Sequence, residues 1–171
     1  MQSLFAPWRY TYLVQERPPD STCIFCEAPS HRDEEESLLL YQGALNFIIL
    51  NLYPYNNGHL MIVPNDHLAS PADSTPAQRS EMFDLAAVCE RALREVYRPD
   101  GINMGMNLGR AAGAGIESHY HLHIVPRWDG DTNFMAVTAG TRIIPESLAQ
   151  AKARLRHALK GHLGVERSNR P

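Results

Sequence analysis

Three histidines, His119, His121 and His123, alternate with Tyr120, Leu122 and Ile124 in the run HYHLHIVPRW. Side chains of a β-strand alternate faces with period two, so an extended chain puts all three imidazoles on one face and the apolar residues on the other. A helix would turn His121 about 200° from His119 and scatter the group. The spacing therefore predicts a strand with a row of imidazoles. A neutral imidazole is a nucleophile toward phosphorus that needs no prior deprotonation near pH 7, and it leaves again once another acceptor arrives. Its neighbours can donate to phosphoryl oxygens as charge builds in the transition state. Just upstream, the loop Gly109-Arg110-Ala111-Ala112-Gly113-Ala114-Gly115 can bring backbone N–H groups close to a phosphate. Together these residues point to nucleotidyl transfer through a histidine intermediate.

A second chemical group is Cys23-Ile24-Phe25-Cys26. A two-residue spacer lets both thiolates face one ion at about 2.3 Å, half of a tetrahedral zinc site that needs two further ligands. A redox pair is the competing reading, but Pro29 intervenes before a clear helix start that would activate it. Two free thiols are the third. Cys89, the last of the three cysteines, falls in an apolar helical stripe and reads as a small core residue. In a reducing compartment an odd count argues against structural disulfides.

The elements that must position these groups follow from the apolar pattern. SLLLYQ, ALNFIILNLY and GHLMIVP are short, rich in Ile, Leu, Val, Phe and Tyr, and bounded by Gly, Pro or Asn, which predicts consecutive strands of a mostly antiparallel sheet. INMGMNLG and the histidine run add two more. From Pro76 to about Tyr97 the period changes: Met82, Leu85, Ala86, Cys89, Ala92, Leu93 and Val96 form one helical stripe, preceded by Thr75, Pro76 and Gln78 as cap, first-turn proline and capping-box partner. A second helix is expected to open at Pro145, carry Leu148, Ala151, Leu155 and Leu159, and stop at Gly161. About residues 1–36, with Pro18-Pro19-Asp20 and a charge run from His31 to Glu36, read as irregular, as does DGDTNFMAV; the tail from about 162 to 171 is expected to fray. No repeat or linker divides residues 1–171, so one domain is expected.

Composition narrows the partners. With 44% hydrophobic and 20% charged residues the chain is an ordinary globular protein, and a formal charge of -3 gives it no general field for nucleic acid. No apolar run is long enough to span a bilayer and no leader pattern opens the chain, so no membrane partner and a cytoplasmic location are expected.

HYHLHIV resembles the His-φ-His-φ-His-φ-φ signature of the histidine-triad family of nucleotide hydrolases and transferases. Asn57-Gly58-His59-Leu60-Met61-Ile62-Val63-Pro64, with His67 beyond it, is similar to that family's G-H-x-L-V-I-P-x-x-H segment, and the likeness runs from Cys23 to about Trp128. It implies an α+β histidine-triad fold: an antiparallel sheet, one long covering helix and a C-terminal helix. It also implies that His121 accepts the nucleotidyl group at the α-phosphate, with His123 bonding that phosphate and His59 and His119 completing the catalytic set. Asn51 stands where the family places a ribose contact, though a strand-end turn residue reads equally well there. Asn107 resembles a phosphate-side contact, and Gly113 and Gly115 belong to the loop that would approach the substrate.

One departure concerns the acceptor. Many triad hydrolases carry Gly-Gln-Ser/Thr ahead of the first histidine, whereas this loop reads GAGIES, with Gly115 and Ile116 in place of the polar pair. NLGRAAGAG and HLHIVPRWDGDTNFM instead resemble the branch related to bacterial diadenosine tetraphosphate phosphorylases, in which inorganic phosphate displaces the nucleotide from histidine. That likeness implies phosphorolysis of diadenosine tetraphosphate to ADP and ATP, with Mg2+ accompanying the polyphosphate. The alternatives are hydrolysis of dinucleoside polyphosphates or nucleoside phosphoramidates, and a non-catalytic nucleotide-binding protein. Arg110 is either a planar donor to the incoming anion or a solvated charge. The resemblance further implies zinc held by Cys23, Cys26, His67 and His119, and a homodimer or higher homo-oligomer.

Overall fold

The computed structural model describes residues 23–31, 37–131 and 146–168, with side chains to 164. The charge run at 32–36, the irregular stretch expected at 132–137, Pro145 and the first 22 residues lie outside the described residues.

Five strands form one antiparallel sheet: β1 (Leu39–Gln42), β2 (Asn46–Leu50), β3 (Leu60–Pro64), β4 (Gly101–Gly105) and β5 (Leu122–Arg127). Their order is β1-β2-β3-β5-β4, so β5 sits between β3 and β4, with β4 on the edge. The register sets Leu60 opposite Ile124, Met61 opposite His123 and Ile62 opposite Leu122. On the other side of β5, Gly105 pairs with His123 and Gly101 with Arg127. The fold is α+β, as expected. β2 and β3 are apolar without alternation because both of their faces are covered.

Two helices cover one face. α1 is the short turn of helix Ile24–Glu27, α2 spans Pro76–Tyr97 and α3 spans Leu148–Ser168. α2 starts at Thr75, whose Oγ1 accepts from the Gln78 N–H while Gln78 Oε1 accepts from the Thr75 N–H, a reciprocal box that satisfies two otherwise orphaned donors. Met82, Leu85, Ala86, Cys89, Ala92 and Leu93 of α2 bury against Ile48, Leu50, Leu60, Ile62, Leu122 and Ile124. Cys89 is fully buried there, and burial pushes its thiol far above the ordinary value, which makes it inert core. Glu81 of α2 accepts from the Ala44 and Leu45 N–H groups and from Asn46 Nδ2, clamping the β1–β2 turn.

Three expectations need correction. α1 lies within the segment read as irregular, because Phe25 has a small cluster of its own to bury into, with Phe47, Ile49, Met61 and Ile116. β5 begins at Leu122 and not at His119: the Tyr120 N–H donates to Leu68 O instead of to a strand neighbour. α3 continues past Gly161 to Ser168, where a stop and a frayed tail were expected. Gly161 and Gly164 each cost only about 1 kcal/mol relative to alanine. Beyond Gly161, Leu163 packs on the core and His162 Nε2 lies 2.9 Å from Glu95 Oε2 on α2. No helix among the described residues is long and apolar enough to cross a membrane.

Candidate active site and metal centre

Alternation carries Tyr120, Leu122 and Ile124 into the helix-covered core and turns His119, His121 and His123 to the opposite face. His59 joins them from the start of β3, next to a tight turn. Gly58 has φ +71°, and a Cβ there would come within 2.6 Å of the Tyr97 ring, so this position requires glycine. All four histidines are buried.

Their protons can be assigned from the partners. His121 Nδ1 lies 3.0 Å from the carbonyl oxygen of His119, which only accepts, so Nδ1 carries the proton. Nε2 of His121 then presents a lone pair. Burial holds the His121 pKa below the ordinary imidazole value, partly offset by that carbonyl bond, so the ring is neutral near pH 7. At His59 the order is reversed: the Tyr55 N–H donates to Nδ1 at 3.0 Å, with Asn51 Nδ2 at 3.3 Å beside it. Neutral His59 therefore carries its proton on Nε2 and donates to His123 Nδ1 at 3.0 Å. That leaves the proton of neutral His123 on Nε2. An imidazole with a bare nitrogen thus stands against a neighbour with a donor N–H, their ring centroids 4.6 Å apart.

Both rings open into a cavity of about 470 Å³, lined by Asn51, Asn107, Gly113 and Gly115 on the polar side. Phe25, Ile49, Tyr53 and Ile116 supply apolar walls. The sequence-derived substrate residues thus converge, except Arg110. Its side chain is 87% exposed, bonded to Glu117 at 2.9 Å and absent from the cavity wall. Asn51 fits both of its readings, since it lines the cavity and its Oδ1 also accepts from the Tyr53 N–H in a turn.

The His119 ring faces away from the cavity centre. Its Nε2 donates to Pro64 O at 2.9 Å, which leaves Nδ1 as a lone pair 3.5 Å from Cys23 Sγ and 3.7 Å from Cys26 Sγ. His67 Nδ1 lies 3.2 Å from Cys26 Sγ. All four ligand atoms fall within 4.8 Å of one another. A tetrahedral zinc with Zn–S of about 2.3 Å and Zn–N of about 2.0 Å has S···N edges of about 3.5 Å, so the donor set and its spacing suit that ion. Pro64 O fixes the ligating tautomer of His119 in the way carbonyl partners commonly do for metal-binding histidines. Burial lowers the His119 pKa, which keeps Nδ1 available.

Sequence reasoning missed Tyr55, which acts through its backbone N–H, and Phe25, whose ring centroid lies 5.0 Å from that of His121. Phe25 had a visible signal in its place between the cysteines; Tyr55 had none, because any residue can supply a backbone donor.

The HIT domain model matches residues 32–130. An AP-4-A phosphorylase of Mycobacterium tuberculosis is 38% identical over 159 residues, covering 89% of this chain and 81% of that protein. Adenylylsulfatase HINT3 of Arabidopsis thaliana is 30% identical over 118 residues, 69% of this chain and 58% of that one. Among solved structures, a Zn-bound histidine triad family protein of Mycobacterium smegmatis matches with a TM-score of 0.68 and 29% identity, over 84% of this chain and 97% of that one. With the family's domain found across more than half its length, in the fold and order of elements that its histidines require, the chain belongs to the histidine-triad (HIT) family.

Proposed function

We propose that the protein transfers a nucleotidyl group through His121, and that its reaction is phosphorolysis of diadenosine tetraphosphate to ADP and ATP. The observation that carries this reading is the preparation of the nucleophile: the His119 carbonyl holds the proton on Nδ1 and leaves Nε2 bare beside His123 in an open cavity. Nε2 attacks the α-phosphorus, a P–N bond forms, the bridging P–O bond breaks, and ATP departs with that electron pair. The imidazole, now cationic with Nδ1–H still on the carbonyl, is a good leaving group. An oxygen of inorganic phosphate then attacks the same phosphorus, the P–N pair returns to Nε2, and ADP is released. The His123 Nε2–H, held in place by His59, donates to a non-bridging oxygen in both steps. Small residues at Gly113 and Gly115 leave room for the second anion, and the AP-4-A phosphorylase relative favours the same acceptor.

The cluster of Cys23, Cys26, His67 and His119 is proposed to hold one zinc ion. The ion would supply structural cross-linking, tying α1 to the segment before β5, while the reaction is left to the imidazoles. Mg2+ would accompany the polyphosphate.

The test is to incubate the protein with diadenosine tetraphosphate, with and without inorganic phosphate, and resolve the nucleotides. ADP and ATP that form only with phosphate, the incoming phosphorus appearing in ADP, support phosphorolysis. AMP and ATP at an unchanged rate without phosphate would make water the acceptor; ADP alone would move the attack to the middle of the chain.

A further inference from the structure

His59 can pass its proton toward His123 only while its Nδ1 is an acceptor, and that depends on a turn outside the histidine cluster. The Tyr55 N–H donates to His59 Nδ1, and the His59 N–H donates back to the Asn56 carbonyl at 3.2 Å, so the 55–59 turn clasps the ring and the backbone of one residue. Something must hold the turn over the sheet. The β3–β5 ladder ends at the pair Leu60 and Ile124, leaving the next part of β5 without a β3 partner. There the Asn56 side chain takes over, donating from Nδ2 to Pro126 O at 3.1 Å and to Asp131 Oδ2 at 2.8 Å.

Asp131 is itself fixed. Its Oδ1 accepts from Arg127 Nη2 at 2.9 Å and its Oδ2 from Arg127 Nε, so the guanidinium of the last β5 residue grips both oxygens. Arg127 Nη1 also donates to Asn103 Oδ1 on β4 at 3.1 Å. The Arg127 hydrogen bonds, followed by that from Asn56, keep the Asp131 carboxyl ionised well below the ordinary carboxylate range. The Asp131 side chain is only 10% exposed, and the chain reaches it just after β5.

We infer that Asp131 is a positioning residue for the transfer reaction: by orienting the Asn56 amide it locks the 55–59 turn onto the end of β5 and so imposes on His59, and through it on His123, the tautomers that aim a donor N–H at the phosphoryl group. The inference rests on the proposed roles of His59 and His123, but its structural half stands without them. Asp131 touches no reacting atom, so its loss leaves substrate binding in place and removes a transition-state contact. That is a loss of kcat with little change in KM.

Ring-nitrogen NMR on 15N-histidine-labelled protein reads the tautomer directly, and steady-state kinetics read its consequence. Wild-type His59 is expected to give the Nε2–H pattern alone. Asp131→Ala and Asn56→Ala should each mix the two neutral tautomers of His59 and lower kcat for nucleotide release by roughly 10- to 100-fold, with the dinucleotide KM changed by less than about threefold. Asp131→Asn, which still offers an oxygen to Asn56, should restore the tautomer and most of kcat. Circular dichroism identifies a variant that fails to fold, and Asn56→Ala then carries the test because it leaves the Arg127 pair intact. An unchanged His59 tautomer in both folded alanine variants would overturn the inference, as would an equal rise in KM. If the tautomers respond as expected while wild-type protein releases no nucleotide, the latch stands and the proposed reaction falls.

Discussion

The two sides of the segment 119–124, which runs into the start of β5, divide the work of the molecule. Tyr120, Leu122 and Ile124 point into a core shared with β2, β3, α2 and α3, where apolar contact is continuous and the Tyr120 hydroxyl finds Ser74 Oγ at 2.6 Å. His119, His121 and His123 point the other way, toward a cavity and the smaller cluster around Phe25. On the first face each residue contributes through the apolar area it removes from water, roughly 25 cal/mol per Å², and the contributions are individually replaceable. On the second, each ring's use depends on which nitrogen carries the proton, and that is set by single partners: His119 O, Tyr55 N–H, Pro64 O. The lesson is that stability is spread over many residues on one side of this segment, while the proposed chemistry rests on a few on the other. Substitutions on the two sides should separate activity from stability.

The largest separation is expected at His121. His121→Ala removes the covalent step while leaving the helix-covered core untouched, so turnover should fall by about 10⁴-fold or more, about 5.5 kcal/mol of transition-state stabilisation, with unfolding shifted little. Nucleotide binding by calorimetry should persist. Turnover near that of wild type would remove His121 from the reaction.

The metal cluster breaks the simple division, because it lies on the chemical side and yet is expected to act on stability. Cys26→Ser removes one of four donors, so metal content should drop from one zinc per chain toward zero and stability fall by about 4 kcal/mol or more. Elemental analysis of protein purified without chelators, followed by thermal unfolding, checks both. Full stability in metal-free wild-type protein would favour two free thiols.

Much of this was readable from the residues alone. Period two at His119–His123 and the change of period at Pro76 point to the strand that starts at Leu122 and to the helix, because an apolar core on one side imposes those spacings. The capping box at Thr75 is local and therefore legible. His67 and His119 were tied to the cysteines only through family likeness, because spacing shows a half-site and tertiary folding supplies the rest. The continuation of α3 through Gly161 was hidden for the same reason: its support comes from Glu95 on another helix. The proton arrangement was hidden altogether, since backbone carbonyls and N–H groups leave no mark in a sequence.

Ile124→Ala samples the other face of the strand that carries His123. Ile124 is fully buried between β3, β4 and the helices, and its truncation should cost about 3 kcal/mol in chemical denaturation. Measured well below the transition, kcat should stay within about threefold of wild type, because the register that sets Met61 opposite His123 is held by backbone bonds. A fall in kcat as large as that of His121→Ala would mean the two faces are not separable.

The smallest effect is expected at Arg110, which the sequence leaves as either a donor to the incoming anion or a solvated charge. The guanidinium is 87% exposed and engages Glu117, itself 43% exposed, outside the cavity wall. A surface pair of this kind is worth about 0–1 kcal/mol, and its field decays within about 8 Å at physiological salt. Arg110→Ala should therefore leave stability within about 0.5 kcal/mol and raise the KM for phosphate by less than about threefold, with no change in the KM for dinucleotide. Glu117→Ala sharpens the comparison because it releases Arg110 from its partner without touching the cavity. If Arg110 serves the incoming anion through a movement of the 109–115 loop, Glu117→Ala lowers the phosphate KM and Arg110→Ala raises it about tenfold, opposite signs from one ion pair. If the pair is only a surface contact, the two variants behave alike, and the small residues of the loop, rather than its one cation, decide which acceptor reaches His121.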